Sequence, residues 1–219
     1  MTRIPSLTLA LGGAAAVVLT VAACAGGPDP AALDQQALQA IRGSFRDEGI
    51  ATVARLQQDE ANAACSAAQG QPLPAATAQA IEAANQKTIP QPAAGRYLGD
   101  WKRGETLAQD GRGMTFTDRA GSPNGGNCYN CHQITKTEIS FGTIGPSLYQ
   151  YGKLRGVADP SSEAARPIVE YTWGKLWNAR ATNACSQMPR FGHQKLLTED
   201  QLRDLMALLL DPKSPVNAQ

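Results

Sequence analysis

The chain has 219 residues, with 20 Lys and Arg against 19 Asp and Glu, a formal net charge of +1 and only 5% aromatic residues. That length holds one domain of ordinary size plus an extension, and a charge so close to zero supplies no bulk field for nucleic acid or an anionic membrane. Ala-rich stretches with few strand signals predict an all-α chain of small helices packed around a large apolar insert.

Arg3 precedes an apolar run from Leu7 to Ala23 that ends in small residues. The run is short for a spanning helix, contains Gly12 and Gly13, and is followed by Gly26-Gly27-Pro28-Asp29-Pro30. Residues 1–25 therefore read as an export signal, which places the mature chain in the periplasm. Cys24 has two readings. Val21-Ala22-Ala23-Cys24 resembles a lipobox, which would make Cys24 the lipidated N-terminus; Ala23-Cys24-Ala25 also fits ordinary cleavage before Gly26, which would discard it.

From Ala31 to about Cys65 the pattern is helical, with Leu38, Ile41 and Phe45 on one face, then Val53, Leu56 and Ala64 on another, and Gly43 and Gly49 dividing it into two helices. Pro72 and Pro74 end this region, a helix over Ala75 to Gln86 follows, and Ile89-Pro90-Gln91-Pro92 forces an extended stretch. Residues 26–95 form a helical N-terminal extension whose apolar positions call for packing on the rest of the chain or on a partner.

The principal domain, 96–219, opens with a helix from about Gly99 marked by Leu98, Trp101 and Leu107, which Gly111 terminates in a left-handed conformation. Gly104 in its middle costs about 1 kcal/mol relative to Ala, which a close helix crossing would justify. The crossing partner is the last helix, opened by a Thr198/Gln201 capping box, with Leu202, Leu205, Met206 and Leu209 on its apolar face and Asp211-Pro212 as its stop. Pro167 suits a helix N-terminus, and Val169, Trp173, Leu176 and Trp177 recur at core spacing.

Between these helices lies Cys128-Tyr129-Asn130-Cys131-His132. Two thiols followed at once by an imidazole hold a haem three ways: two thioethers to the vinyl groups and one iron ligand. A zinc site needs a second ligand pair, which two His and five Cys do not provide, and a thioredoxin-like pair needs a strand-to-helix setting absent around Gly121, Gly125 and Gly126. Attachment of one haem c also agrees with export. The sixth ligand comes from downstream: Met206 is most simply a core residue, His193 follows Phe191-Gly192, and Met188 precedes Pro189, which presents a side chain from a loop. Met188 is favoured over His193. The Pro146 carbonyl in Gly145-Pro146-Ser147-Leu148 either accepts the second imidazole proton or belongs to a plain turn. Trp173 belongs to the haem surroundings, with an indole N–H or the Tyr171 hydroxyl available to a propionate. With Cys24 set aside and Cys128 and Cys131 used, Cys65 and Cys185 remain. They read as a disulfide pinning the extension three residues before Met188, with unpaired buried thiols as the alternative.

Residues 126–133, 139–148, 171–175 and 183–193 as a set, from Gly126-Asn127-Cys128 to Phe191-Gly192-His193, closely resemble the SoxX family, the monohaem subunit of the thiosulfate-oxidising SoxAX cytochrome complex. The resemblance runs from about Gly99 to Asn217. It implies a class I cytochrome c fold, His132 and Met188 as axial ligands, and a heterodimer with a SoxA-type cytochrome subunit that carries the sulfur-binding cysteine. It also implies the reaction, that of an L-cysteine S-thiosulfotransferase: thiosulfate is joined oxidatively to a cysteine of a sulfur carrier protein, and electrons leave to a soluble cytochrome c. On this reading the chain relays electrons and does no sulfur chemistry itself. A free-standing periplasmic carrier cytochrome and a ligand-binding haem enzyme or sensor are the competing classes, and an iron closed by Met188 speaks against the last.

Overall fold

The computed structural model describes residue 27 and residues 29–218; the expected export signal and Cys24 lie outside the described residues. Within them the structure is helical, with one isolated bridge between Glu48 and Ala51 and no other strand pairing. Contacts divide the chain into two compact units, one ending at Arg46 and one beginning at Asp47.

The first unit is α1, Pro30–Ser44, which Asp29 caps by accepting from the Ala31 N–H at 3.1 Å, with Pro in the first turn, where a missing donor costs nothing. Leu33, Leu38, Ile41 and Phe45 are all exposed. Of the two helices expected over 31–65, the second is broken: Val53–Leu56 is a single 3₁₀ turn, and α2, Glu60–Ala67, starts anew after the cap Asp59.

In the second unit α3, Ala75–Gln86, has the expected bounds, because Pro74 leads into it and Ile89-Pro90 cannot continue it. This segment lies against the main body. The side-chain amide of Asn178 donates to Asn85 at 2.9 Å and to Thr88 at 3.0 Å, and Glu82 accepts from the Ala184 N–H at 3.2 Å. The Trp173 indole donates to the Pro90 carbonyl at 2.9 Å, and its ring packs between Tyr97 and Trp177. The propionate role expected of that N–H is thereby corrected: the donor is already committed, and Trp173 anchors the extended 89–92 stretch to the core.

Helix α4, Trp101–Gln109, crosses the last helix α7, Glu199–Leu210. At Gly104 an added Cβ would lie 2.1 Å from the Asp204 carbonyl oxygen, so the backbones meet directly, as the glycine predicts. A polar lock that the apolar pattern does not reveal supplements the crossing. The Asp204 carboxylate, buried on α7, accepts from the Asp100 N–H at 2.7 Å and from Arg103 through two nitrogens at 2.8 Å each. The expected left-handed stop at Gly111 is not used: α4 ends at an extended Asp110, whose N–H returns to the Thr106 and Leu107 carbonyls.

Helix α7 carries the expected capping box, but it is buried on every side from Leu202 to Leu210, not along one stripe. Helix α5, Tyr151–Leu154, and α6, Arg166–Trp177, pack on it beside α4. The tail after Asp211 folds back so that the Asn217 amide accepts from the Gly152 N–H at 2.9 Å and donates to the Leu209 and Asp211 carbonyls, each at 3.0 Å. Those bonds satisfy carbonyls that a helix end leaves open.

Gly104→Ala sets a gain of about 1 kcal/mol in helix propensity against overpacking on a backbone carbonyl, which typically costs about 1–3 kcal/mol. A lower urea midpoint is expected, and an unchanged or higher one would show that the crossing tolerates a methyl group.

Candidate functional site

The end of α4 aims the chain at the cysteine pair. Gly126 N–H donates to the Leu107 carbonyl and Asn127 N–H to that of Asp110, at 2.8 and 3.0 Å, closing the excursion between α4 and the pair. Asn127 takes a left-handed conformation, φ +50°, of the kind Asn tolerates. The chain then tightens into the turn Cys128–Asn130, where both Cys131 N–H and His132 N–H return to the Cys128 carbonyl, at 3.1 and 2.9 Å. Cys128 and Cys131 are half-buried free thiols. Burial pushes the Cys128 thiol up to about 12, with its neighbour Cys131 adding to the shift. It stays protonated at neutral pH, which disfavours it as a nucleophile.

Residues 142–148 run alongside this turn as a strap. Gly142, Gly145 and Leu148 donate to the Tyr129, Cys131 and Gln133 carbonyls at 2.8, 2.8 and 2.7 Å. Both glycines are required by space: a Cβ at Gly142 would sit 1.7 Å from the Asn130 carbonyl oxygen, and one at Gly145 would sit 2.1 Å from His132 Cε1. Gly145 thus cradles the imidazole. The next residue supplies its partner, since His132 Nδ1 lies 2.7 Å from the Pro146 carbonyl oxygen. A carbonyl only accepts, so Nδ1 carries the proton and Nε2 keeps a lone pair for a metal. Of the two readings of Pro146, the acceptor is the one present. Beyond His132, Glu138 Oε1 accepts from the Ile134 and Thr135 N–H groups, closing the following turn, while its Oε2 is buried with no protein partner among the described residues.

Met188 lies in irregular chain after the 3₁₀ turn Ala179–Ala181, half-buried and packed against the core cluster. Its N–H donates to Ser186 Oγ at 3.3 Å. The expected disulfide is present: Cys65 on α2 is bonded to Cys185, with Cα atoms 5.6 Å apart. Helix α2 makes a second connection that the sequence reading lacked. Asp59 accepts from Arg180 at 2.9 Å and from Arg190 at 2.6 Å, and Asn62 Oδ1 accepts from Arg180 as well. Burial raises the Asp59 pKa, but the Asn62 N–H and the Arg190 and Arg180 guanidinia outweigh it, and the net shift is downward. Its contribution to folding is therefore complete above the ordinary carboxylate range and is lost as pH falls through the lowered folded pKa.

His193, the runner-up ligand, is exposed and lines an open groove of about 770 Å³ with Asn124, Trp177, Leu196 and Gln201; none of Cys128, Cys131 and His132 lines it. Burial and the nearby Arg190 lower its pKa against the opposing pull of Asp59, so the ring is neutral near pH 7. Met206 is fully buried on α7, as a core residue should be.

The donors suit a haem better than a bare metal ion. An imidazole nitrogen freed by its neighbour's carbonyl stands next to two thiols in one turn, and no group of three His, Cys, Asp or Glu suited to a metal occurs among the described residues. Cys128, Cys131 and His132 would hold the group on one side, and Met188 is the soft donor available in the later loop.

No family model matches the chain. A protein of Aquifex aeolicus (strain VF5) named an uncharacterized lipoprotein is 37% identical over 131 residues, a match covering 59% of this chain and 58% of that protein. The chain thus spans somewhat over half the length of that relative.

The Cys65–Cys185 bond closes 120 residues of chain, and a cross-link over so long a loop stabilises by about 3–5 kcal/mol where native geometry is unstrained. The Cys65→Ser, Cys185→Ser double variant is expected to lose that much in denaturant titration. A loss below about 1 kcal/mol would mean that α2 holds the loop without it.

Proposed function

We propose that this chain is a c-type cytochrome that transfers electrons and, within that class, the SoxX-type subunit of a thiosulfate-oxidising cytochrome complex. The observation that carries the reading is the His132 ring, seated on Gly145 with its Nδ1 proton given to Pro146, beside two unpaired thiols. A class I cytochrome c arrangement for 96–219 rests on the α4–α7 crossing together with the resemblance to SoxX.

Bound to Cys128, Cys131, His132 and Met188, haem supplies reversible one-electron chemistry at an iron whose thioether ligand raises its potential. The protein holds the imidazole tautomer, fixes the ring against rotation and brings Met188 from a tethered loop. Every described cysteine has a structural use, so none serves as a sulfur-accepting nucleophile. The complex would join thiosulfate to a carrier-protein thiol with loss of the thiol proton and two electrons, and this chain would take those electrons singly from the SoxA-type subunit and deliver them to a soluble cytochrome c. The name of the Aquifex relative favours the lipobox reading of Cys24 and an exported, lipid-anchored protein; a diacylglyceryl mass on Cys24 of native protein would establish it, and a mature start at Gly26 would exclude it.

Met188→Ala is expected to keep covalent haem, lower the reduction potential and admit carbon monoxide to the reduced iron. Unchanged spectra in both oxidation states would assign the ligand elsewhere, with His193 next in line. Thiosulfate alone should leave the oxidised protein oxidised, and the SoxA-type subunit with its carrier substrate should reduce it. Rapid reduction without a partner would sink the relay, and purification as a lone monomer would favour a free carrier.

A further inference from the structure

The chain from Ala181 to Pro189 is a largely irregular excursion in which Ala184 is buried and Met188 packs against the core, and Asp59 stands at its base. One oxygen of Asp59 takes Arg180, just before the excursion, and the other takes Arg190, just after it. Both arginine side chains are about 10% exposed and that of Asp59 is 40% exposed, so one partly solvated carboxylate draws the two ends of the excursion together. The same helix reaches the middle of the excursion, because Cys65, six residues beyond Asp59, is bonded to Cys185. Backbone bonds inside the excursion are few: Ser186 N–H to the Asn183 carbonyl is one of them. Helix α2 ties the loop at these two points, and Glu82 on α3 adds a third by accepting from the Ala184 N–H.

We infer that Asp59 is a positioning residue for the iron ligand, and that with Cys65 it makes α2 a two-point clamp whose charged half sets how often Met188 swings away from the iron. The inference rests on the assignment of Met188 proposed above. It concerns loop opening, a local event of lower free energy than global unfolding. Asp59 also caps α2, accepting from the Asn62 N–H at 2.7 Å, so the test has to separate capping from clamping. Asn caps about as well as Asp, which makes Asp59→Asn a substitution that keeps the cap and removes the charge shared by the two arginines.

The test uses the full-length holoprotein and two readouts: the weak far-red absorption of ferric iron bound to methionine sulfur, and the rate of cyanide binding to the ferric protein. In Asp59→Asn the far-red band is expected to disappear at a lower temperature than in the wild type while helical circular dichroism persists, and cyanide to bind about tenfold faster, as for loss of a charge-assisted hydrogen bond from the closed state only. Arg190→Gln, which removes one of the two pairs, should accelerate binding in the same direction, and the double variant should add little to Asp59→Asn, which already removes that pair. Asp59→Glu, which restores the charge, should recover part of the wild-type band stability. Wild-type cyanide kinetics and band stability in Asp59→Asn or in Arg190→Gln would overturn the clamp, as would a band that melts together with the helices. Met188→Ala distinguishes this failure from failure of the ligand assignment: if that variant keeps the far-red band, Met188 is not the ligand and the clamp has nothing to hold.

Discussion

The contact on which the rest of the structure depends is the backbone meeting of α4 and α7 at Gly104. With no Cβ at that point, the Asp204 peptide comes within reach of α4, and its carboxylate is placed to take Asp100 and Arg103. Once the helices are locked there, the Leu107 and Asp110 carbonyls stand where Gly126 and Asn127 can return to them, and Cys128 follows at once. A side chain at position 104 would move the cysteine turn along with the helix.

The elements legible in the sequence are those whose cause is local. Helix α3 is bracketed by prolines, α7 opens with a capping box, Gly104 has no use other than a close approach, and the imidazole partner lies 14 residues from His132 in a Gly-Pro step. Of the misreadings, one has a local cause and one a distant cause. Gly111 looked like a helix stop, yet an extended Asp110 closes α4 without a left-handed residue. Trp173 looked available because its partner, the Pro90 carbonyl, lies 83 residues earlier in an extended stretch with no donor demand of its own.

What escaped the sequence reading is the charged architecture. Asp204 sits mid-helix among leucines, and Asp59 is the N-cap of α2; neither position suggests an ion pair. The partners of Asp59 are 121 and 131 residues away, and ion pairs at such separations leave no spacing in the chain. One signal was available: once Cys65 is paired with Cys185, the acids Asp59 and Glu60 are brought near the arginines that flank Cys185 at five residues on either side. A disulfide inferred from cysteine arithmetic fixes a neighbourhood, and the charges within it are then candidates for pairing.

The disulfide also has a bearing on biogenesis, for the bond joins cysteines that are not neighbours in the order of synthesis. Cys128 and Cys131 emerge between Cys65 and Cys185, so pairing in order of appearance would give wrong partners. Disulfides rearrange through thiolate attack, and in the folded chain the Cys128 thiol is held protonated by burial. The packing that shapes the Cys128–His132 turn therefore also keeps Cys128 out of exchange with the Cys65–Cys185 bond, and folding becomes a sorting problem: Cys128 and Cys131 must stay unpaired while Cys65 and Cys185 are oxidised.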